Sequence, residues 1–334
     1  VNNKSYLYLG LAVATLFVLA IVVSSSQNKA LEDEVSGDQY LTELKGRIND
    51  VAGVEVSFSN MHATVLKKDD SWVLKEKNDH PVDFSHVKNL ILSLSELKTV
   101  EPKTKKSENY EKLGVQDHVA GTANKLITLN DGSGNKIAAV ILGTVKGDTL
   151  YIRRQGEEQA WLVKGRIETP GDEANWLDKQ ILDLDPAKIK SVAIEVSKKE
   201  KILIEKAKSE DKDFNLANAP KGKTPASASA VNALANNFRK LEFSNVYADG
   251  QVDLKKAEKA EIKVETFDGL LVDMAVYKQE EKDYLIVAAS ATDMATTDIQ
   301  AQKDNLSKRW KPWVYEIPSF KATNLRKKLS DIVK

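Results

Sequence analysis

The chain has 334 residues, with 49 basic and 49 acidic side chains and no formal net charge. That balance speaks against a nucleic-acid binder, whose affinity rests on an excess of Lys and Arg against phosphates. Cysteine is absent, which removes disulfides, thiolate metal sites, a cysteine nucleophile and a lipidated N-terminal cysteine. Hydrophobic residues make up 42% and charged residues 29%, so the chain can bury a core, and its length suits about two domains.

Tyr6 to Val23, YLYLGLAVATLFVLAIVV, is uncharged and apolar all round. About 18 residues is near the lower limit for crossing a bilayer core. Tyr6 and Tyr8 sit at one end, where aromatic rings favour the water–lipid boundary. Lys4 precedes the run, and Glu32, Asp33 and Glu34 follow it. This asymmetry predicts a single-pass inner-membrane anchor of a bacterium, with the bulk of the chain on the periplasmic side. Ser24 to Ser26 leave a cleaved signal peptide as the alternative, although the apolar run exceeds the usual signal core.

The predicted organisation is an anchor with a short cytoplasmic tail over 1–29, a stalk over 30–52, and modules over 53–185 and 186–334. The first module opens with alternating Val54, Val56 and Phe58, a half-buried strand pattern. Strands follow at Ala63–Leu66 and Trp72–Leu74. Asp83 then precedes a helix with Phe84, Val87, Leu90, Ile91, Leu94 and Leu97 on one face. A polar loop leads to Tyr110 and Leu113. Strands recur at Lys125–Leu129, Ala138–Leu142, Leu150–Arg153 and Ala160–Val163, with Asp131 to Asn135 as a hairpin turn.

The same order recurs from Val192. Strands are expected at Ile202–Glu205 and Phe214–Leu216, then a helix carrying Val231, Leu234, Phe238 and Leu241. Strands at Ile262–Phe267, Leu271–Tyr277, Tyr284–Val287 and Trp313–Ile317 follow. A helical insertion lies near 291–308, and a terminal helix carries Leu325, Leu329 and Ile332. This is an α+β fold in two repeated modules, each an antiparallel sheet with a covering helix.

Reactive constellations are weak. His62, His80, His86 and His118 share no metal-ligand spacing, and capping or solvent exposure accounts for His80 and His86. Gly222-Lys223-Thr224 ends like a phosphate loop, but Ala217 stands where the leading glycine belongs. Gly132 and Gly134 fall in a hairpin. The Ser-x-x-Lys matches lack partner motifs. Asp183 and Asp185 read as solvated or capping groups rather than an acid pair. Lys198, Lys199, Lys201, Lys206 and Lys208, broken by Glu200 and Glu205, read as a solvated strand edge. Trp310, Trp313 and Tyr315 are the candidate interface residues, with closure of the second module's core as the competing and preferred reading. No catalytic residue, cofactor or metal ligand emerges.

Two segments, TVEPKTKKSENYEKLGVQD (Thr99 to Asp117) and QAWLVKGRIETPGDEANWLDKQILDLDPAKIKSVAI (Gln159 to Ile194), resemble the domain-of-unknown-function family numbered 4340. LKGRINDVAGVEV at Leu44 to Val56 is similar to that family's module start. The resemblance covers nearly all of the chain after the anchor. It implies one N-terminal membrane segment and genes often beside ABC-type export systems, including the gliding-motility auxiliary type. It carries over no catalytic residue. Within the motifs, Pro102 and Gly114 are expected to shape a loop, Tyr110 and Leu113 to pin it to the helix, and Trp176 to anchor the link between modules.

The expectation is therefore a non-catalytic, membrane-anchored extracytoplasmic accessory or scaffold protein of an ABC-type transport complex. It would hold the membrane through Tyr6–Val23 and bind protein partners but no nucleic acid. The alternatives are an extracytoplasmic hydrolase of envelope polymers and a module that binds lipid or glycan between its two sheets.

Overall fold

A computed structural model describes residues 37–69, 71–198, 200–311 and 313–334. The expected anchor, Tyr6–Val23, lies outside them. Among the described residues no helix is long and apolar enough to cross a membrane. These residues form two compact units, 37–69 with 85–170, and 71–84 with 171–334.

The elements begin with a short helix α1 (Thr42–Lys45), strands β1 (Val51–Phe58), β2 (Met61–Lys68), β3 (Ser71–Leu74) and β4 (His80–Pro81), and helix α2 (Phe84–Ser95). Then come β5 (Lys98–Thr104), α3 (Tyr110–Leu113), β6 (Lys125–Asp131), β7 (Lys136–Lys146), β8 (Thr149–Arg154) and β9 (Ala160–Lys164). The short β3 and β4 group with the second unit. In the first unit the sheet runs β2-β1-β6-β7-β8-β9-β5, and each strand pairs antiparallel with its neighbours. Because side chains alternate across a strand, the register lines up aliphatic rows. Ala63, Val56, Ile127 and Val140 form one row. Val65, Val54, Leu129 and Ala138 form another. All eight are buried, as are Val87, Leu90, Ile91 and Leu94 on one face of α2. Each larger aliphatic side chain contributes roughly 1.5–3 kcal/mol on burial.

The second unit continues with β10 (Gln180–Leu182), β11 (Ile189–Ser197), β12 (Glu200–Glu205), β13 (Asn215–Leu216), helix α4 (Ala228–Asn236), β14 (Leu241–Glu242) and β15 (Asn245–Ala248). It ends with β16 (Glu258–Thr266), β17 (Leu270–Gln279), β18 (Lys282–Ala291), helix α5 (Thr297–Trp310), β19 (Trp313–Ile317) and helix α6 (Ser319–Leu325). Its sheet runs β13-β12-β11-β16-β17-β18-β19-β15, the same order of hairpin, meander and returning edge strand as the first. One register row joins Ile202, Ile194, Ile262, Met274 and Val287, all buried. Ser227 caps α4 by accepting from Ala230 N at 3.1 Å, and Thr296 caps α5 through Ile299 N. Both side chains satisfy a first-turn amide that has no partner inside the helix.

Three features differ from the sequence reading. Tyr40, Leu41 and Leu44, expected in the stalk, are buried, and α1 lies against β7. Phe84, expected on the buried helix face, is 53% exposed and stacks on Trp72 at 6.4 Å. The polar stretch after α2 is a strand, β5, at the edge of the sheet against β9. Pro102 sits in this strand rather than in a loop. An edge tolerates proline because one side of the strand needs no N–H donor.

Candidate functional site

Two of the three expected interface aromatics, Trp313 and Tyr315, meet at His80 inside the second unit. Trp310 ends α5, is 1% exposed and donates its Nε1–H to the Ile181 carbonyl at 2.9 Å. Tyr315 is also buried and stacks on Phe243 at 5.2 Å. Trp313 alone of the three is only half-buried. The His80 ring meets Trp313 edge-on at 5.0 Å and Phe243 at 5.2 Å. Trp310 and Tyr315 thus belong to the interior, where aromatic edges and faces interlock. Burial pushes the Tyr315 phenol above its ordinary value. It lowers His80 from 6.5 to about 4, because the charged imidazolium loses its hydration there. His80, read from sequence as capping or solvated, is a neutral core residue whose Nδ1 lies 2.9 Å from the Pro81 carbonyl.

The motif Asn109 to Asp117 covers one face of the first unit's sheet. Tyr110 and Val115 pack with Tyr151 and Ala160, and Leu113 and Leu162 lie against them. Tyr110 and Leu113 therefore pin the loop to strands β8 and β9 of the sheet, not to the helix as expected. The Tyr110 hydroxyl donates to the Glu158 carbonyl at 2.5 Å. Arg153, 3% exposed, donates to the carbonyls of Val115 and Glu157 at 2.8 Å each and to Asp117. Its guanidinium lies 4.5 Å from the Tyr110 ring centroid, a cation–π contact.

Two glycines make this close approach feasible. Gly114 turns the chain at φ +70°, and a Cβ on Gly143 would run into the Leu113 carbonyl. Gly143→Ala is expected to lift the loop and cost about 2 kcal/mol, as overpacking does. Urea unfolding measures it, and faster amide exchange over 109–117 should accompany it.

The remaining candidates have structural roles. His62 lies between Ser57 and Thr64, and His118 contacts Asn124 and Thr122. Asp185 accepts from Ala187 N at 3.0 Å and caps a short turn, and Asp183 accepts from Lys240 N. Gly222-Lys223-Thr224 lies in a turn closed by Lys223 N to Pro220 O. Lys206 is buried, unlike the solvated edge expected, with its ammonium 4.6 Å from the Phe214 ring centroid. Segment 215–218 covers that side of β12, pairing through Ala217 N and Asn218. Among the described residues no group of three or more His, Asp or Glu is placed to hold a metal ion. Trp176 is fully buried in the second unit.

A cavity of about 520 Å³ lies in the second unit beside α6, lined by groups that include Lys278, Asp283, Ser319, Thr323, Arg326 and Lys328. Lys278 and Asp283 face each other across the β17–β18 hairpin. Asp283, 4% exposed, lies 3.4 Å from Lys278 Nζ and 3.7 Å from Arg326 Nη1. Arg326 Nη2 also reaches Glu258 at 3.0 Å, whereas its buried Nε has no acceptor among the described residues. The arrangement presents fixed cationic donors above a buried carboxylate that holds them in place. Sequence reading passed over this group. Its visible signals were the run Arg326-Lys327-Lys328 and the opposite charges flanking the Glu280-Glu281 turn.

Comparison with known proteins gives one match. No curated protein and no solved structure matches the chain. The model of a family described as "Domain of unknown function (DUF4340)" matches residues 72–265. That span is over half of the chain and includes the Tyr110 loop and Trp176, and the chain belongs to the DUF4340 family.

Proposed function

We propose that this protein is a non-catalytic accessory subunit of an ABC-type transport complex, anchored in the inner membrane by Tyr6–Val23 and binding protein partners through two periplasmic sheet units. The observation that carries the reading is the common strand order of the two sheets. On this reading they are copies of one module, each copy offering a broad antiparallel frame suited to holding other proteins. The apolar, charge-free opening segment supplies the tether. The residues that the family motifs contribute, Tyr110, Gly114 and Trp176, serve packing and chain direction. This is what a family held together by architecture rather than by a reactive centre requires.

The test is crosslinking in native membranes, followed by identification of what is joined to the protein. A permease or ATPase subunit among the products is the expected outcome. Recovery as a lone monomer under mild detergent across growth conditions would remove the reading.

A further inference from the structure

We propose that the cavity beside α6 binds a phosphate group. Residues 320–334 carry Lys321, Arg326, Lys327, Lys328 and Lys334 against Asp331 alone, in a chain with no net charge. The cavity wall holds four cations, Lys278, Arg326, Lys327 and Lys328, and two carboxylates, Asp283 and Asp331. Both carboxylates are engaged. Asp283 pairs with Lys278 and Arg326, and Asp331 accepts from the Lys328 backbone N–H at 3.0 Å. With Glu258, which also holds Arg326, the surplus is one positive charge, which favours an anionic phosphate group.

The donor chemistry points the same way. Arg326 lies on the cavity wall, held by Asp283 and Glu258 through its terminal nitrogens. A tetrahedral oxyanion presents acceptors in several directions and suits a guanidinium. Ser319 adds a hydroxyl to the wall, while that of Thr323 donates to the Ser319 carbonyl at 2.8 Å. The volume of about 520 Å³ exceeds that of a bare phosphate and leaves room for the group that carries it. Phe320, 64% exposed next to Ser319, would suit a phospholipid, and a soluble phosphate ester shares the same headgroup chemistry.

Full-length protein in neutral-detergent micelles is titrated calorimetrically with sodium phosphate, using sodium chloride to hold ionic strength constant. Saturable binding is expected, weakened about tenfold in Lys327→Gln/Lys328→Gln and lost in Arg326→Gln. Since Arg326→Gln strips a partner from a buried carboxylate and can unfold the unit, the double lysine variant, which keeps Arg326 and Asp283, is the decisive one. Amide exchange over 319–331 is then followed in micelles doped with phosphatidylglycerol. Protection that sodium phosphate competes away assigns the site to a lipid headgroup. Saturable phosphate binding without such protection assigns it to a soluble ester. No saturable heat beyond that of sodium chloride, or binding unchanged in the double lysine variant, overturns the proposal.

Discussion

Trp310→Ala is expected to destabilise the protein by about 3–5 kcal/mol, the range for deleting a fully buried aromatic ring. The indole is 1% exposed, and its loss also strips the Ile181 carbonyl of its donor at 2.9 Å, itself worth about 1 kcal/mol. Trp310→Phe keeps most of the ring and loses the hydrogen bond, so it should cost markedly less, about 1–2 kcal/mol. Urea unfolding of both variants separates the two contributions. A tryptophan acting as a partner-facing anchor behaves differently. Its alanine variant would unfold at the wild-type urea concentration and lose only binding, and that result would contradict an interior Trp310.

Acidification should destabilise the second unit through His80. Its folded-state value of about 4 lies below the ordinary 6.5. As pH falls, the unfolded chain therefore takes up the proton first. The contribution to stability is complete above pH 6.5, shrinks between 6.5 and 4, and is gone below 4. Its full size is roughly 3 kcal/mol, at about 1.4 kcal/mol for each pH unit of separation. Burial is the main cause. The Pro81 carbonyl and Asp178 favour the proton, and Arg309 opposes it. Carboxylates elsewhere titrate over part of the same range, so the informative quantity is the difference between wild type and His80→Phe. Phenylalanine can keep the edge-to-face packing on Phe243 and Trp313 and carries no proton. The gap in stability between the two proteins should shift by about 3 kcal/mol between pH 7 and pH 4. A gap that stays constant with pH would show that His80 titrates normally.

The fold was legible wherever period-two alternation was strong. Val54, Val56, Ile262 and Val264 alternate with polar residues, and each falls on a buried row. The hairpin at Asp131 was legible from its turn residues. Its carboxylate accepts from Ser133 N and Asn135 N, and these bonds hold the Asp131 carboxyl below its usual value. By contrast, β5 was illegible. Lys98 to Thr104 has no alternation, contains Pro102 and is largely exposed, as an edge strand can be. Phe84 misled because helical spacing gives a face, not the length of sheet that covers it.

Site residues were harder to read for a related reason. His80 lies far in sequence from Phe243 and Trp313, and only the tertiary fold encloses it. The carboxylate of Asp283 becomes a buried partner of Arg326 through the same kind of long-range closure. A polar residue shows its type in the sequence, but its burial depends on what the rest of the chain lays over it.

The proposed function rests on an opening segment that stays in lipid and holds both units on the outer side of the inner membrane. Protease added to intact spheroplasts tests it most directly. Fragments of both units should appear without lysis, while the Tyr6–Val23 peptide stays in the membrane fraction. Units spared until the membrane is broken, or a mature chain found free in the periplasm and beginning after Ser26, would contradict it.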